Sequence, residues 1–183
     1  MAFLDEHKAK FDNLTVSLEL QNRDQLRRKA NGGNTILFTY PPADEIQYIK
    51  HAKSIFPAGK FKFINLADLF VKFIEDIGLT RVERKYKIFV ATPHKLFSSG
   101  KISLLELIIA EIKEADDSGL IPILIRTGAL HGTGIENVNI MEHSAIMFLK
   151  QPLVIFYPAK FKGDNLSFLN FKPASKYRCT VIE

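Results

Sequence analysis

The sequence predicts an α/β protein with a three-layer, mostly parallel, Rossmann-like sheet of about five strands and flanking helices. Three observations lead there. Short apolar runs rich in β-formers alternate with segments of helical periodicity, the order that favours a parallel sheet. The run 120–126 is apolar on both faces, as a central parallel strand must be. A glycine-punctuated turn at 127–134 joins that run to a helical pattern at 135–149, the strand–turn–helix order from which α/β proteins build anion sites.

Each element follows from its residues. Segment 1–30 reads as an N-terminal helical element, with Phe3, Leu4, Phe11, Leu14, Leu18 and Leu20 as an imperfect apolar stripe. Asn31-Gly-Gly-Asn34 breaks it. Residues 35–40 read as a buried strand ended by Pro41 and Pro42. A helix follows at 43–56, with Ile46, Ile49, Ala52, Ile55 and Phe56 on one face and Asp44 and Glu45 in the first turn, where they complement the helix dipole. Segment 60–65 alternates as a second strand, Asn65 is placed to cap a helix over 66–77, and Gly78 ends it. The stretch 79–99 reads as helix or irregular structure with a basic start at Arg81, Arg84, Lys85 and Lys87. A helix over 104–115 exits at 116–119 into the third strand. Residues 152–157, stopped by Pro158, and 177–182 supply the fourth and fifth strands.

Composition narrows the function classes. At 183 residues the chain is expected to form a single α/β domain over 1–183. With 46% hydrophobic and 25% charged residues it can bury a sizeable core and is not disordered. A net charge of +5 is below the footprint of a dedicated DNA binder. The one cysteine, Cys179, forms no intramolecular disulfide and no cysteine metal cluster, which fits a reducing compartment. The acidic N-terminal sequence does not read as a signal peptide, and no apolar run is long enough to span a membrane. A cytoplasmic protein with no membrane contact is expected.

The glycine turn carries the strongest chemical signal. Thr127, Gly128, His131, Gly132, Thr133 and Gly134 are the candidate ligand-binding residues. A phosphate loop of the Walker type ends in Gly-Lys-Ser/Thr, the lysine reaching the phosphates and the hydroxyl binding magnesium. Here Ile135, Glu136 and Asn137 follow Gly134, so the lysine is missing and a carboxylate faces the place a phosphate would occupy. The glycine spacing is not the dinucleotide fingerprint either. The competing reading is a tight corner that needs positive φ at its glycines.

Other signals are weaker. His7, His51, His94 and His143 are scattered, with no zinc-binding pairing. No Gly-x-Ser-x-Gly elbow occurs, and the acids fall at helix starts and in turns rather than at metal-site spacing. Arg23, Arg27, Arg28 and Lys29 form a basic patch suited to weak nucleic-acid contact. Lys160, Lys162, Lys172, Lys176 and Arg178 form a second, interleaved with Phe161, Phe168, Phe171 and Tyr177. These patterns assign no catalytic residue, no metal and no cofactor.

Several segments together resemble a known family. Residues 36–45, 63–70, 127–134 with 138–149, 152–158 and 165–169 are similar, in that order, to the strands, glycine turn and closing loop of the BrxB family from bacterial BREX phage-exclusion systems. The likeness covers roughly residues 10–183 and is one of pattern, since no single motif in it is catalytic. It implies a non-enzymatic, cytoplasmic component of an antiviral (antiphage) defence assembly in bacteria. It further implies a PglZ-type alkaline-phosphatase-like protein as the direct partner, other BREX components as further partners, and no family catalytic residues to carry over. The alternative kept beside it is a nucleotide- or nucleic-acid-binding protein that uses the 127–134 turn or the basic patches.

Overall fold

The computed structural model describes residues 4–29, 33–98 and 103–183, the side chains of residues 4–6 and 29 excepted. It is an α/β fold built on an open, mixed, seven-stranded sheet with helices on both faces. The chain begins with helices α1 (Leu4–Leu18) and α2 (Arg23–Lys29), separated by a single 3-10 turn at Leu20–Asn22. Strand β1 (Thr35–Tyr40) leads into α3 (Glu45–Ile55), and β2 (Phe61–Asn65) into α4 (Leu66–Ile77). Three helices then run in succession: α5 (Leu79–Ile88), α6 (Lys95–Ser98) and α7 (Leu104–Asp117). Strand β3 (Ile121–Ile125) is followed by two short helices, α8 (Asn137–Met141) and α9 (Ser144–Met147). The chain closes with β4 (Leu153–Lys162), β5 (Asn165–Phe168), β6 (Lys172–Ala174) and β7 (Cys179–Ile182).

The strand order is β2-β3-β4-β1-β7, with every neighbouring pair parallel. The sheet is nevertheless mixed, and larger than the five-stranded, mostly parallel one expected. Strand β4 runs on past Pro158 and pairs antiparallel with β5, which pairs antiparallel with β6. Pro158 does not stop the strand, because it sits where β4 leaves β1 and takes up β5. No ladder donor is needed at that change of partner. Its carbonyl still accepts from Leu169 N at 2.7 Å.

Alternation along the central strands divides the core into two layers. Ile36, Phe38 and Tyr40 of β1 face α1, α2 and α3, packing with Phe11, Leu14 and Tyr48. Leu37 of β1 and Ile155 and Tyr157 of β4 face α4, α7 and α8, packing with Leu66, Ile108 and Ile140. The α3 stripe is rotated from the expected one. Tyr48, Ile49 and Ala52 are buried, whereas Ile46 and Ile55 are exposed. Leu20, expected on the N-terminal stripe, is exposed at the 3-10 turn that breaks the first helix.

Local chemistry sets the helix ends. Asn65 caps α4 as expected, its side chain accepting from Ala67 N at 3.1 Å, and Gly78 ends the helix at φ 83°. The single helix expected over 135–149 is two short ones. His143 interrupts it in an extended conformation and caps α9, its Nδ1 accepting from Ala145 N at 3.3 Å. No helix among the described residues is long and apolar enough to cross a membrane.

Candidate functional site

In open α/β sheets, ligands bind at the carboxyl ends of the strands, where successive connections leave to opposite faces. Here β1 runs on to α3 on one face and β3 runs on to α8 on the other, with β4 between them in the sheet. The crevice is bridged by the chain itself. Arg126, at the end of β3, donates from Nη1 to Glu45 Oε2 at 2.7 Å. The other carboxylate oxygen of Glu45 accepts from the Tyr40 hydroxyl at 2.9 Å. Burial first, and then the Glu45 charge and hydrogen bond, push the Tyr40 phenol well above its ordinary pKa. Arg126 holds a left-handed backbone conformation, φ 59°, in which non-glycine residues are uncommon. This cluster was not predicted from sequence. Its members lie 81 residues apart at Glu45 and Arg126, so no local spacing signals it, and the position of Glu45 in a first helical turn points to the helix dipole instead.

The glycine turn follows directly. Residues Thr127–Leu130 form a 3-10 turn, and the Thr127 hydroxyl donates to Phe156 O at 2.7 Å, stitching the turn to β4. Thr133 is buried, donating to Leu130 O at 2.7 Å and accepting from Ile135 N at 3.2 Å. Both candidate hydroxyls are therefore spent on the corner's own backbone. Gly132 and Gly134 take φ values of 83° and 78°, and a Cβ on Gly134 would lie 3.0 Å from His94 Cβ. Gly128 needs no such freedom, since a Cβ there would make ordinary contact with Leu169 at 3.7 Å. His131 is exposed, with its ring edge-on to Phe171 at 5.3 Å.

The helix start that a phosphate would need is also filled from within. Glu136 is the N-cap of α8 in a capping box, its side chain accepting from the Asn139 amide and Asn139 Oδ1 accepting from Glu136 N at 2.7 Å. Glu136 also pairs with Lys172 on β6 at 2.8 Å. Behind that pair lies a small apolar cavity walled by Leu130, Ile140, Ile155 and Phe168, with Tyr157 on its lining. Its volume of about 20 Å³ is room for one or two water molecules. Burial, and next the Glu136 charge, raise the Tyr157 phenol above its usual range.

The basic candidates are spread over α2. Arg27 and Arg28 are exposed, and Arg27 donates to Leu149 O at 3.5 Å. Arg23 lies against a groove beside α1, and the side chain of Lys29 is outside the described residues. In the second patch the charges are engaged locally. Lys162 donates to Asn170 O at 3.1 Å, and Lys176 lies over the Phe161 ring at 5.4 Å. No group of three or more His, Cys, Asp or Glu side chains suited to a metal occurs among the described residues.

One element contributes a single half-buried side chain to the core. No residue of the ten-residue helix α5 is buried, and only the half-buried Val82 packs against the core. Leu79, Tyr86 and Ile88, with Val90 just beyond, are exposed, Tyr86 at 57%. Arg81, Arg84, Lys85 and Lys87 are interspersed among them. Compared with protein-family models, curated proteins and solved structures, the chain has no match.

Proposed function

We propose that this chain is a non-enzymatic module that binds a partner protein through α5. The observation that carries the reading is a whole helix displaying large apolar side chains in a basic field while burying none of them. Exposed apolar residues ringed by charge are the composition of a protein interface, with Tyr and Arg the residues that dominate binding energy. The surface suits a partner with an acidic, apolar-centred face. The same reading is supported at the carboxyl-end crevice and at the α8 start. There Glu45 and Glu136 stand where a phosphate would have to bind, and a fixed carboxylate repels one.

The resemblance to the BrxB family supplies the identity of the partner in this proposal: a PglZ-type alkaline-phosphatase-like protein of a BREX-like antiphage assembly. Co-expression and co-purification with such a protein tests it. The complex is expected at micromolar concentration, and Tyr86→Glu is expected to weaken it by about 2 kcal/mol or more, roughly 30-fold, while leaving the fold intact. Failure to co-purify would overturn the proposal. Salt-dependent retention on DNA, lost when Arg27 and Arg28 are neutralised, would favour the nucleic-acid alternative.

A further inference from the structure

On the opposite face from α5, at the amino-terminal ends of β2 and β3, a groove runs between the α1–α2 corner and the end of α3. Its volume is about 750 Å³, within the range of sites that hold a ligand or a peptide side-chain cluster. Leu18, Phe56 and Ile121 are buried and form the floor. Leu20, 78% exposed, and Ile55 stand on the walls. The groove is thus apolar below and open above.

The charges around it are uneven. Glu19 is engaged by its neighbour, accepting from Gln21 Nε2 at 2.8 Å. Arg23 and Lys60 form no ion pair among the described residues. Arg23 Nε is buried and has no hydrogen-bond partner among the described residues. A buried guanidinium N–H without an acceptor is unfavourable, and a carboxylate is the acceptor its fork geometry fits best. Leu20 is likewise an apolar side chain held out in solvent, at the start of the 3-10 turn.

We propose that this groove docks an acidic, leucine-bearing segment of a partner protein. Apolar side chains of the segment pack against Leu20, Ile55 and the Phe56 floor. One of its carboxylates pairs with the Arg23 guanidinium, which lines the groove, and a second is neutralised by Lys60. This inference rests on the reading of the chain as a partner-binding module, but it uses a different surface and a different set of residues.

The test uses the full chain and a dye-labelled synthetic peptide of leucine and glutamate, with a leucine–lysine peptide as its charge-reversed control. In fluorescence anisotropy the leucine–glutamate peptide is expected to bind and the control not to. Arg23→Glu is expected to weaken the acidic peptide about tenfold or more and to admit the basic one, as charge reversal at a paired site does. Leu20→Glu is expected to abolish binding of the acidic peptide; because Leu20 is so exposed, that variant keeps its fold, and circular dichroism checks it. Arg23→Gln separates loss of charge from introduction of a carboxylate, with an intermediate affinity expected. No binding of the acidic peptide, equal binding of the two peptides, or binding indifferent to both Arg23→Glu and Leu20→Glu would overturn the proposal. So would capture on phosphatidylserine vesicles, or self-association in sedimentation, that depends on Leu20 while the peptide is ignored. Peptide binding that survives a failed co-purification leaves the groove standing while the proposed binding of a PglZ-type partner through α5 falls.

Discussion

Removing the Glu45 carboxylate tests whether the crevice at the strand ends is a structural clasp. In Glu45→Ala the Tyr40 hydroxyl loses its acceptor, and Tyr40 is among the most buried side chains of the protein. A buried donor left without a partner costs about 1–3 kcal/mol. The Arg126 contact adds little, because that side chain is 40% exposed and an ion pair open to solvent contributes about 0–1 kcal/mol. The two together give about 1–4 kcal/mol, or a fall in Tm of about 2–16 °C for a chain of this length. Glu45→Gln keeps an oxygen for Tyr40 and loses only the charge, so it should cost about 1 kcal/mol or less. Urea unfolding followed by circular dichroism measures all three forms, with Tyr40→Phe closing a double-mutant cycle. On the Tyr40→Phe background, Glu45→Ala should cost markedly less than in the native chain. Equal costs for Glu45→Ala and Glu45→Gln, or an unchanged cost on the Tyr40→Phe background, would refute the assignment of Glu45 as the phenol's acceptor.

The other predictions concern the glycine turn and the cysteine. Gly134→Ala should destabilise by about 1–2 kcal/mol, because it combines a left-handed φ with a Cβ pressed on His94, whereas Gly128→Ala should stay within about 0.5 kcal/mol. Equal effects in thermal unfolding would count against the turn as a tight corner. Burial pushes the Cys179 thiol up to about 11 from an ordinary 9.0. Its reaction with Ellman's reagent at pH 8 should therefore be much slower in the folded chain than in urea. The thiol is protonated in the fold over a pH range in which the unfolded chain has lost its proton. Its contribution to stability is therefore complete below pH 9 and is lost as pH rises through about 11, which an alkaline titration of unfolding checks.

What was legible along the chain was what local chemistry decides. The β1 run, the Asn65 cap and the Gly78 stop were each readable, because burial of an apolar run and satisfaction of a helix end involve only near neighbours. The long helix expected over 135–149 failed for an equally local reason that periodicity hides: the His143 side chain caps a new helix where the apolar pattern alone would continue the old one. Pro158 misled because a proline is judged by the partner its missing N–H faces, and that partner belongs to β1 and then β5. Asp116 shows the same limit. It reads as a solvated turn residue, yet it is buried and accepts from the amides of Lys150 and Gln151 at 3.1 and 2.6 Å.

The sequence by itself determined the α/β class, the main strand and helix segments, and the absence of a phosphate-loop lysine at the glycine turn. Those follow from residue type and short-range spacing. Only the tertiary structure decided which carboxylates occupy the strand-end crevice and the α8 start. It also decided that β4 serves two partners, and that α5 and the Arg23 groove face outward. Each of these depends on groups far apart in the chain meeting in space, and no periodicity along the sequence encodes that meeting.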